Sequence, residues 1–563
     1  MRRSSVFQAA ALSVLSLLAS ACGSRASRAT PSSNASLSLG DFVDQPGESD
    51  DAGTTPSRAA QAHVFLEGVD QQLRRLSVAA VEADWEKSTN ITDQAERRAA
   101  EANEVLMAYL SEAIRAADGF RDVSVLGASD ARKLELLRRG SSLPAPRNPA
   151  HREELSSTAT RMESLYGKGK ACSAKTGVCR DLEQLSEVLA SSRKEPELRA
   201  AWQDWHAVGK SLKPLFTRYV TLANEGAREI GFRNLGELWR SRYDMMPQLF
   251  AHDIDRLWSE VAPLYEQLHC YARAKLRERY GKKVPERGAI PAHLLGNMWA
   301  QDWVNLYPEL EPYAGQGELD VSKALREQHY DETRMVKLGE SFFSSLGFLP
   351  LPETFWQRSM LKRPEGREVV CHASAWDVHF DNDVRIKMCT KVDQEDLITI
   401  HHELGHIYYF SQYYRLPMLF QDGANDGFHE AIGDAIALSV TPDYLVRAGL
   451  LQRAPAGQKG AINLLMQRAL DKVAFLPFAK LVDEWRWKVF AGEIAPEHYN
   501  RSWWSMRQQI QGVAPPTPRG EEFFDAGAKY HVAANVPYAR YFLATVLQYQ
   551  FHRAMCKIAG HEG

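Results

Sequence analysis

Charge of one sign is not in excess in this chain. Its 68 Lys and Arg against 71 Asp and Glu leave a formal net charge of −3, which gives no reason to expect a nucleic-acid partner. Long hydrophobic runs are also missing. The one apolar stretch, from about Val6 to Ala21, is too short for a comfortable membrane span. Strand-like alternation is scarce, no internal repeat is visible, and no stretch after residue 60 has a linker's composition. What remains is ordinary for a globular protein, 44% apolar and 25% charged over 563 residues, enough for a large core. Without linkers, one unit of two subdomains around a cleft is the expectation.

The N-terminus is a different kind of sequence. Met1-Arg2-Arg3 precedes the short apolar run, which ends in Leu18-Ala19-Ser20-Ala21-Cys22-Gly23. A basic start, a short apolar region and small residues make an export signal. The end of it resembles a bacterial lipobox, with Ala19 where leucine is commoner. Residues 1–21 are therefore expected to be a lipoprotein-type signal peptide, with acylation of Cys22 after cleavage. Ordinary cleavage and an uncleaved anchor are the alternatives, and all three place the protein outside the cytosol. The expectation is a protein of the bacterial cell envelope, anchored to a membrane and facing the periplasm or the outside. Residues 22–60, rich in Ser, Ala, Gly, Pro and Asp, cannot bury enough surface to fold and read as a tether. Residues 61–563 form the folded domain. Cysteine use suits an oxidising compartment: close spacing favours Cys172 with Cys179 and Cys371 with Cys389, although spacing alone does not decide connectivity. Cys270 lies in a helical pattern and is expected to be a buried thiol.

From about Gln61 the pattern is helical. Phe65, Val69, Leu73, Leu76 and Ala80 recur at steps of three and four, and similar stripes cover 95–117, 180–230, 252–280 and 461–492. The clearest strand runs from Glu368 to Trp376. Val384 to Met388 is its possible partner across the turn-like Asp381-Asn382-Asp383. The fold class is thus mainly α, with one small hairpin that a Cys371–Cys389 bridge would staple.

The chemistry is concentrated in His401-His402-Glu403-Leu404-Gly405-His406 and in Gly427-Phe428-His429-Glu430-Ala431-Ile432-Gly433-Asp434. On a helix, His402 and His406 leave the same face and can bind one tetrahedral metal ion. Glu403 sits one position round, placed for a general base and not for a ligand. Glu430 is the candidate third ligand. Asp434, one turn on, is placed to accept the free ring N–H of a ligating histidine. Both acids sit among Phe428, Ala431, Ile432, Ala435 and Ile436, and buried acids need compensation such as a zinc–histidine cluster.

Several longer motifs carry a resemblance. They are Pro291-Ala292-His293-Leu294-Leu295-Gly296-Asn297-Met298-Trp299-Ala300-Gln301, Cys371-His372-Ala373-Ser374-Ala375-Trp376, the two metal segments, Phe524 to His531 and Val536 to Phe542. Together they resemble the angiotensin-converting enzyme family of zinc peptidyl-dipeptidases, densely from about residue 290 onward and more thinly before. The resemblance implies an ellipsoidal helical fold of two subdomains around a deep central channel. It implies one Zn2+ per chain, and release of dipeptides from the C-termini of oligopeptides. Carried over position by position, it makes Glu403, His531 and Tyr541 catalytic, the last two as donors to the oxyanion. His372, Ala373 and Ala375 would hold the substrate extended, and Gln301, Lys529 and Tyr538 would bind its terminal carboxylate. Relatives that remove a single residue carry arginine at position 301, so glutamine favours dipeptide release.

The family binds activating chloride at two places. Tyr243 and Arg540 match the inner one, and Trp503 and Arg507 match part of the outer one. His206 stands where animal members have arginine, so a weak or absent outer site is expected. The family also continues past Gly563 through further helices to a partner for Cys556, which leaves this chain apparently truncated. The alternatives to a peptidyl-dipeptidase are a single-residue carboxypeptidase, an oligopeptidase, or an inactive peptide-binding lipoprotein.

Overall fold

The computed structural model of the protein describes residues 56–561, apart from 122, 124, 125, 173–176, 316–320, 455 and 456. The expected signal peptide, Cys22 and the tether up to residue 55 lie outside the described residues. The first described helix, Arg58–Thr89, starts slightly earlier than its apolar pattern. The reason is a cap: the Ser57 hydroxyl accepts from the Ala60 amide and satisfies a donor that the first turn leaves free.

The other helical stripes appear as Asp93–Ala117 and Pro247–Tyr280, while 180–230 divides into Leu182–Ser191, Glu195–His206 and Gly209–Glu229. Pro196 in the first turn of the second segment marks one division, where its missing N–H would have had no intrahelical partner in any case. The 461–492 stripe is Gln458–Arg468 followed by Ala474–Phe490, joined through one wider π-type turn, Ala469–Val473. Such turns re-aim side chains within a helix, and this one carries Lys472 to within 3.6 Å of Asp434.

The strands are shorter than expected. Ser374–Asp377 pairs antiparallel with Val384–Lys387, Ser374 opposite Lys387 and Asp377 opposite Val384. Residues 368–370 do not extend this hairpin because their backbone is engaged elsewhere. The Val370 amide donates to Ser88 O at 2.8 Å, and Glu368 O accepts from the Ile91 amide at 2.9 Å. Both expected disulfides, Cys172–Cys179 and Cys371–Cys389, are formed. Cys270 corrects the reading of a buried thiol: it is exposed. The helix buries Leu268, His269 and Ala272 instead, and Cys270 faces away from that stripe.

Among the described residues, two apolar cores organise the fold. The larger gathers side chains from Leu66 through to Phe542, including Trp202, Trp205, Trp485 and Phe524. The smaller is drawn from Val321 to Leu450 and contains Ile400, Leu404 and Ile407 of the helix that carries the metal motif. The functional side chains divide between elements packed on these two cores. Among the described residues, no helix is long and apolar enough to cross a membrane.

Candidate metal centre and active site

Asp393 caps the motif helix, Gln394–Tyr413, its carboxylate accepting from the Asp396 amide. The glutamate helix, Phe428–Ala437, crosses it closely. Two glycines permit the approach: a Cβ on Gly405 would lie 2.8 Å from Gly433 Cα, and one on Gly433 would lie 2.8 Å from His402 Nδ1. Any larger side chain would push the helices apart and separate Glu430 from the histidines.

The result is a convergent set. Ligand atoms of His402, His406 and Glu430 all lie within 4.8 Å of one another. The Nε2 atoms of the two histidines are 3.0 Å apart, and Glu430 Oε2 is 3.5 Å from His402 Nε2. Ligands ~2.0–2.1 Å from one tetrahedral zinc would be separated by about 3.4 Å, so this nitrogen and oxygen set fits that ion. Asp434 Oδ1 lies 3.2 Å from His402 Nδ1, as its spacing from Glu430 suggested. Burial opposes charge on His402, but Asp434 and Glu430 raise its pKa well above the usual imidazole value. Burial likewise works against the Glu430 carboxylate, yet the histidines beside it hold its pKa down to about 2. The pocket thus favours positive charge at its centre.

Glu403 is buried at its edge. Desolvation is the main cause that pushes its pKa up to about 7, into the range that suits a group taking and returning a proton. Lys387 faces it and was not foreseen from the sequence. The ammonium of this buried lysine donates to Val370 O at 2.9 Å and His372 O at 2.6 Å, tying the strap before the hairpin to the end of its second strand. Burial lowers the Lys387 pKa to about 8, with Glu403 partly offsetting it. His429, also unforeseen, lies between the ligand His406, 3.3 Å from it, and the Tyr413 hydroxyl, 2.6 Å away.

The larger core supplies the other side of the site. His531 Nε2 and the Tyr541 hydroxyl are 3.3 Å apart. Burial, then the charge of Glu430, raises the Tyr541 pKa and keeps the phenol protonated. Burial and nearby cations hold the His531 pKa well below the usual imidazole value. The loop between them rests on the buried pair Asp483 and Arg486. Asp483 Oδ2 accepts from the amides of Tyr538 and Ala539 at 2.6 and 2.7 Å, while Arg486 donates to His531 O and Val536 O at 2.8 and 2.7 Å. Lys529 donates to Gln301 Oε1 at 2.5 Å and lies 4.1 Å from the Trp299 ring centre and 5.5 Å from that of Tyr538. The structure therefore brings together Gln301, Lys529 and Tyr538. His372 turns its Nδ1 to Ala373 O, 2.8 Å away, at the start of the hairpin.

A sequence model of angiotensin-converting enzyme matches residues 56–563. The chain belongs to the angiotensin-converting enzyme family. It is 42% identical over 509 residues to angiotensin-converting enzyme of Bos taurus, covering 89% of this chain and 38% of that protein. It is 41% identical to angiotensin-converting enzyme-like protein Ace3 of Mus musculus, covering 90% of this chain and 68% of that one. The angiotensin-converting enzyme of Theromyzon tessulatum is 38% identical, covering 91% and 84%. The chain thus spans well under half the length of the bovine relative.

Within this family member, the residues expected to hold chloride are placed unevenly. Tyr243 and Arg540 do converge, but on the carboxylate of Asp426, 3.2 and 3.1 Å away. The expected inner anion position is therefore lined by an anion of the chain itself. At the outer position, Arg507 is buried among Phe478, Trp503 and Trp504 and donates to Trp299 O at 2.8 Å. His206 is stacked on Trp202 with ring centres 3.8 Å apart, and burial drives its pKa down to about 4. A neutral imidazole at that place adds no charge for an anion to meet.

Proposed function

We propose that this chain is a zinc-dependent peptidyl-dipeptidase, exported from the cell, that releases dipeptides from the C-termini of oligopeptides. One observation carries the reading. His402, His406 and Glu430 converge from two helices, and Glu403 lies buried beside them without belonging to the set. A binding protein has no use for that extra carboxylate, whereas hydrolysis does.

When bound at this triad, zinc supplies Lewis-acid polarisation of a carbonyl and lowers the pKa of water. The remaining steps fall to the chain. Glu403 takes the proton of the attacking water and hands it to the leaving amine. Tyr541, held protonated, and His531 donate to the oxygen on which negative charge develops. Lys529, Gln301 and Tyr538 bind the free terminal carboxylate and set the reading frame, two residues from the cut. The strap at His372 and Ala373 and the hairpin strand at Ala375 pair with the extended peptide backbone as an added strand would. The two cores fit subdomains on either side of a central channel. Residues 1–21 and Cys22 support export and lipid anchoring in a bacterial envelope, with residues 22–60 as the tether.

The test is Glu403→Gln in the zinc-loaded protein. The variant should keep one equivalent of zinc and lose turnover by roughly 10²–10⁴. A variant that cleaves as fast as the parent would remove Glu403 from the mechanism and this reading with it.

A further inference from the structure

Asp426 stands four residues before Glu430 and is the point at which three separate parts of the chain meet. The Tyr243 hydroxyl donates to its Oδ2 at 3.2 Å, and Arg540 Nε lies 3.1 Å from the same oxygen. Arg242 Nη2 is 3.5 Å from Oδ1 and 3.7 Å from Asp422 as well. The Asp426 side chain is only 6% exposed, so these charges meet largely out of water. Burial works against the Arg540 guanidinium, and Asp426 is the foremost group that restores it. Tyr243 is itself fixed, its ring stacked on Phe250 at 3.9 Å.

The position matters because each partner has a functional neighbour in the chain. Arg540 immediately precedes Tyr541 on the helix Ala539–Ile558. Asp426 immediately precedes Gly427, the cap of the glutamate helix. These helices pack directly, with Phe428 and Phe551 ring centres 5.2 Å apart and Leu543 against Gly427. One carboxylate therefore links the start of the glutamate helix to the start of the tyrosine helix by charge pairing.

We propose that Asp426 is a positioning residue for the reaction, a built-in counter-anion that fixes Arg540, and through it Tyr541, against the helix carrying Glu430. This rests on the peptidyl-dipeptidase reading. Without Asp426, two guanidinium groups and a hydroxyl face a space the size of a carboxylate, and the like charges of Arg242 and Arg540 repel one another. The tyrosine helix then loses its registration with the metal triad. Because the chain carries this negative charge covalently, turnover needs no dissolved anion. The activation by chloride expected from the family motif is replaced by an internal group.

Full-length, zinc-loaded protein and the variants Asp426→Ala and Asp426→Asn are assayed for dipeptide release in gluconate buffer while chloride is added. The parent should change by less than about twofold. Asp426→Ala should lose about 10- to 100-fold in kcat, with KM changed far less, as small displacements of catalytic groups do. Chloride or formate should then restore it saturably by filling the vacated space. Asp426→Asn, similar in shape but neutral, should be slow and should not recover, because its amide occupies that space. This second variant keeps the question answerable should Asp426→Ala fail to fold. Severalfold activation of the parent by chloride would overturn the proposal. So would a folded Asp426→Ala protein that is fully active without anions, or one that no anion rescues. A parent that releases no dipeptide in any buffer would instead strike at the proposed reaction, and the positioning role would fall with it.

Discussion

His402, His406 and Glu430 come from two helices that cross through Gly405 and Gly433, within one short stretch of sequence and against the smaller core. Gln301 and Lys529, by contrast, meet across 228 residues, and His531, Tyr538 and Tyr541 rest on the larger core through the buried Asp483–Arg486 pair. The first group is built by helical periodicity and close backbone contact. The second is built from segments distant in sequence, held by contacts between buried polar groups such as Lys529 with Gln301 and Asp483 with the Tyr538 and Ala539 amides. A metal site made the first way tolerates little change of backbone spacing. The proposed substrate site, made the second way, depends on charge and hydrogen bonding, so substitutions there are expected to leave the metal site intact.

Substitutions that strike one group and spare the other would sharpen this contrast. Tyr541→Phe should give the largest separation, a fall in kcat of about 10²–10³ with zinc content unchanged. Loss of zinc from that variant, measured by atomic emission, would show that the two groups are not independent. Gly433→Ala should do the converse. Its methyl would sit against His402 Nδ1, and the affinity for zinc should weaken about 10- to 100-fold, as when the support of a ligating histidine is lost. Unaltered zinc affinity by chelator competition would break the argument from close packing.

A smaller effect concerns pH. Burial lowers the Lys529 pKa to about 7, with Asp302 only partly offsetting it. The ammonium form is the one that attracts a terminal carboxylate, so binding is favoured below that value and lost as pH rises through it. The kcat/KM for a peptide with a free C-terminus should therefore decline by up to about tenfold per unit above pH 7, and Lys529→Met should abolish this limb of the profile. The same limb in the Lys529→Met protein would assign it to another group. Smallest of all is the staple behind the hairpin. Replacing Cys371 and Cys389 by serine, across a separation of 18 residues, should cost about 3 kcal/mol of stability while zinc binding persists, read by denaturant unfolding.

These two groups were also unequally legible in the sequence. The triad, Glu403 and Asp434 follow from side-chain spacing on two helices, and the geometry repeats that spacing directly. Lys529, Gln301 and His531 carry no such signal, because each is an ordinary polar residue whose partner is distant in sequence. Only the longer family motifs pointed to them. Lys387 and Asp426 were missed for a related reason: the first sits at a strand end and the second in a turn, where charged residues are usually solvated. His429 stood inside the motif that supplied Glu430, yet its role depends on Tyr413 of the crossing helix. The hairpin was placed correctly but drawn too long, because hydrogen bonds from residues 368–370 to the end of the first described helix leave no trace in a local pattern.

The measurement that bears most directly on the central claim is the identity of the products. Zinc-loaded protein is incubated with an oligopeptide bearing a free C-terminus, and the products are followed by mass spectrometry. Stepwise loss of dipeptides, abolished by a chelator and by C-terminal amidation, is the predicted result. Loss of single residues, internal cleavage, or an intact peptide after incubation with folded, zinc-loaded protein would contradict it.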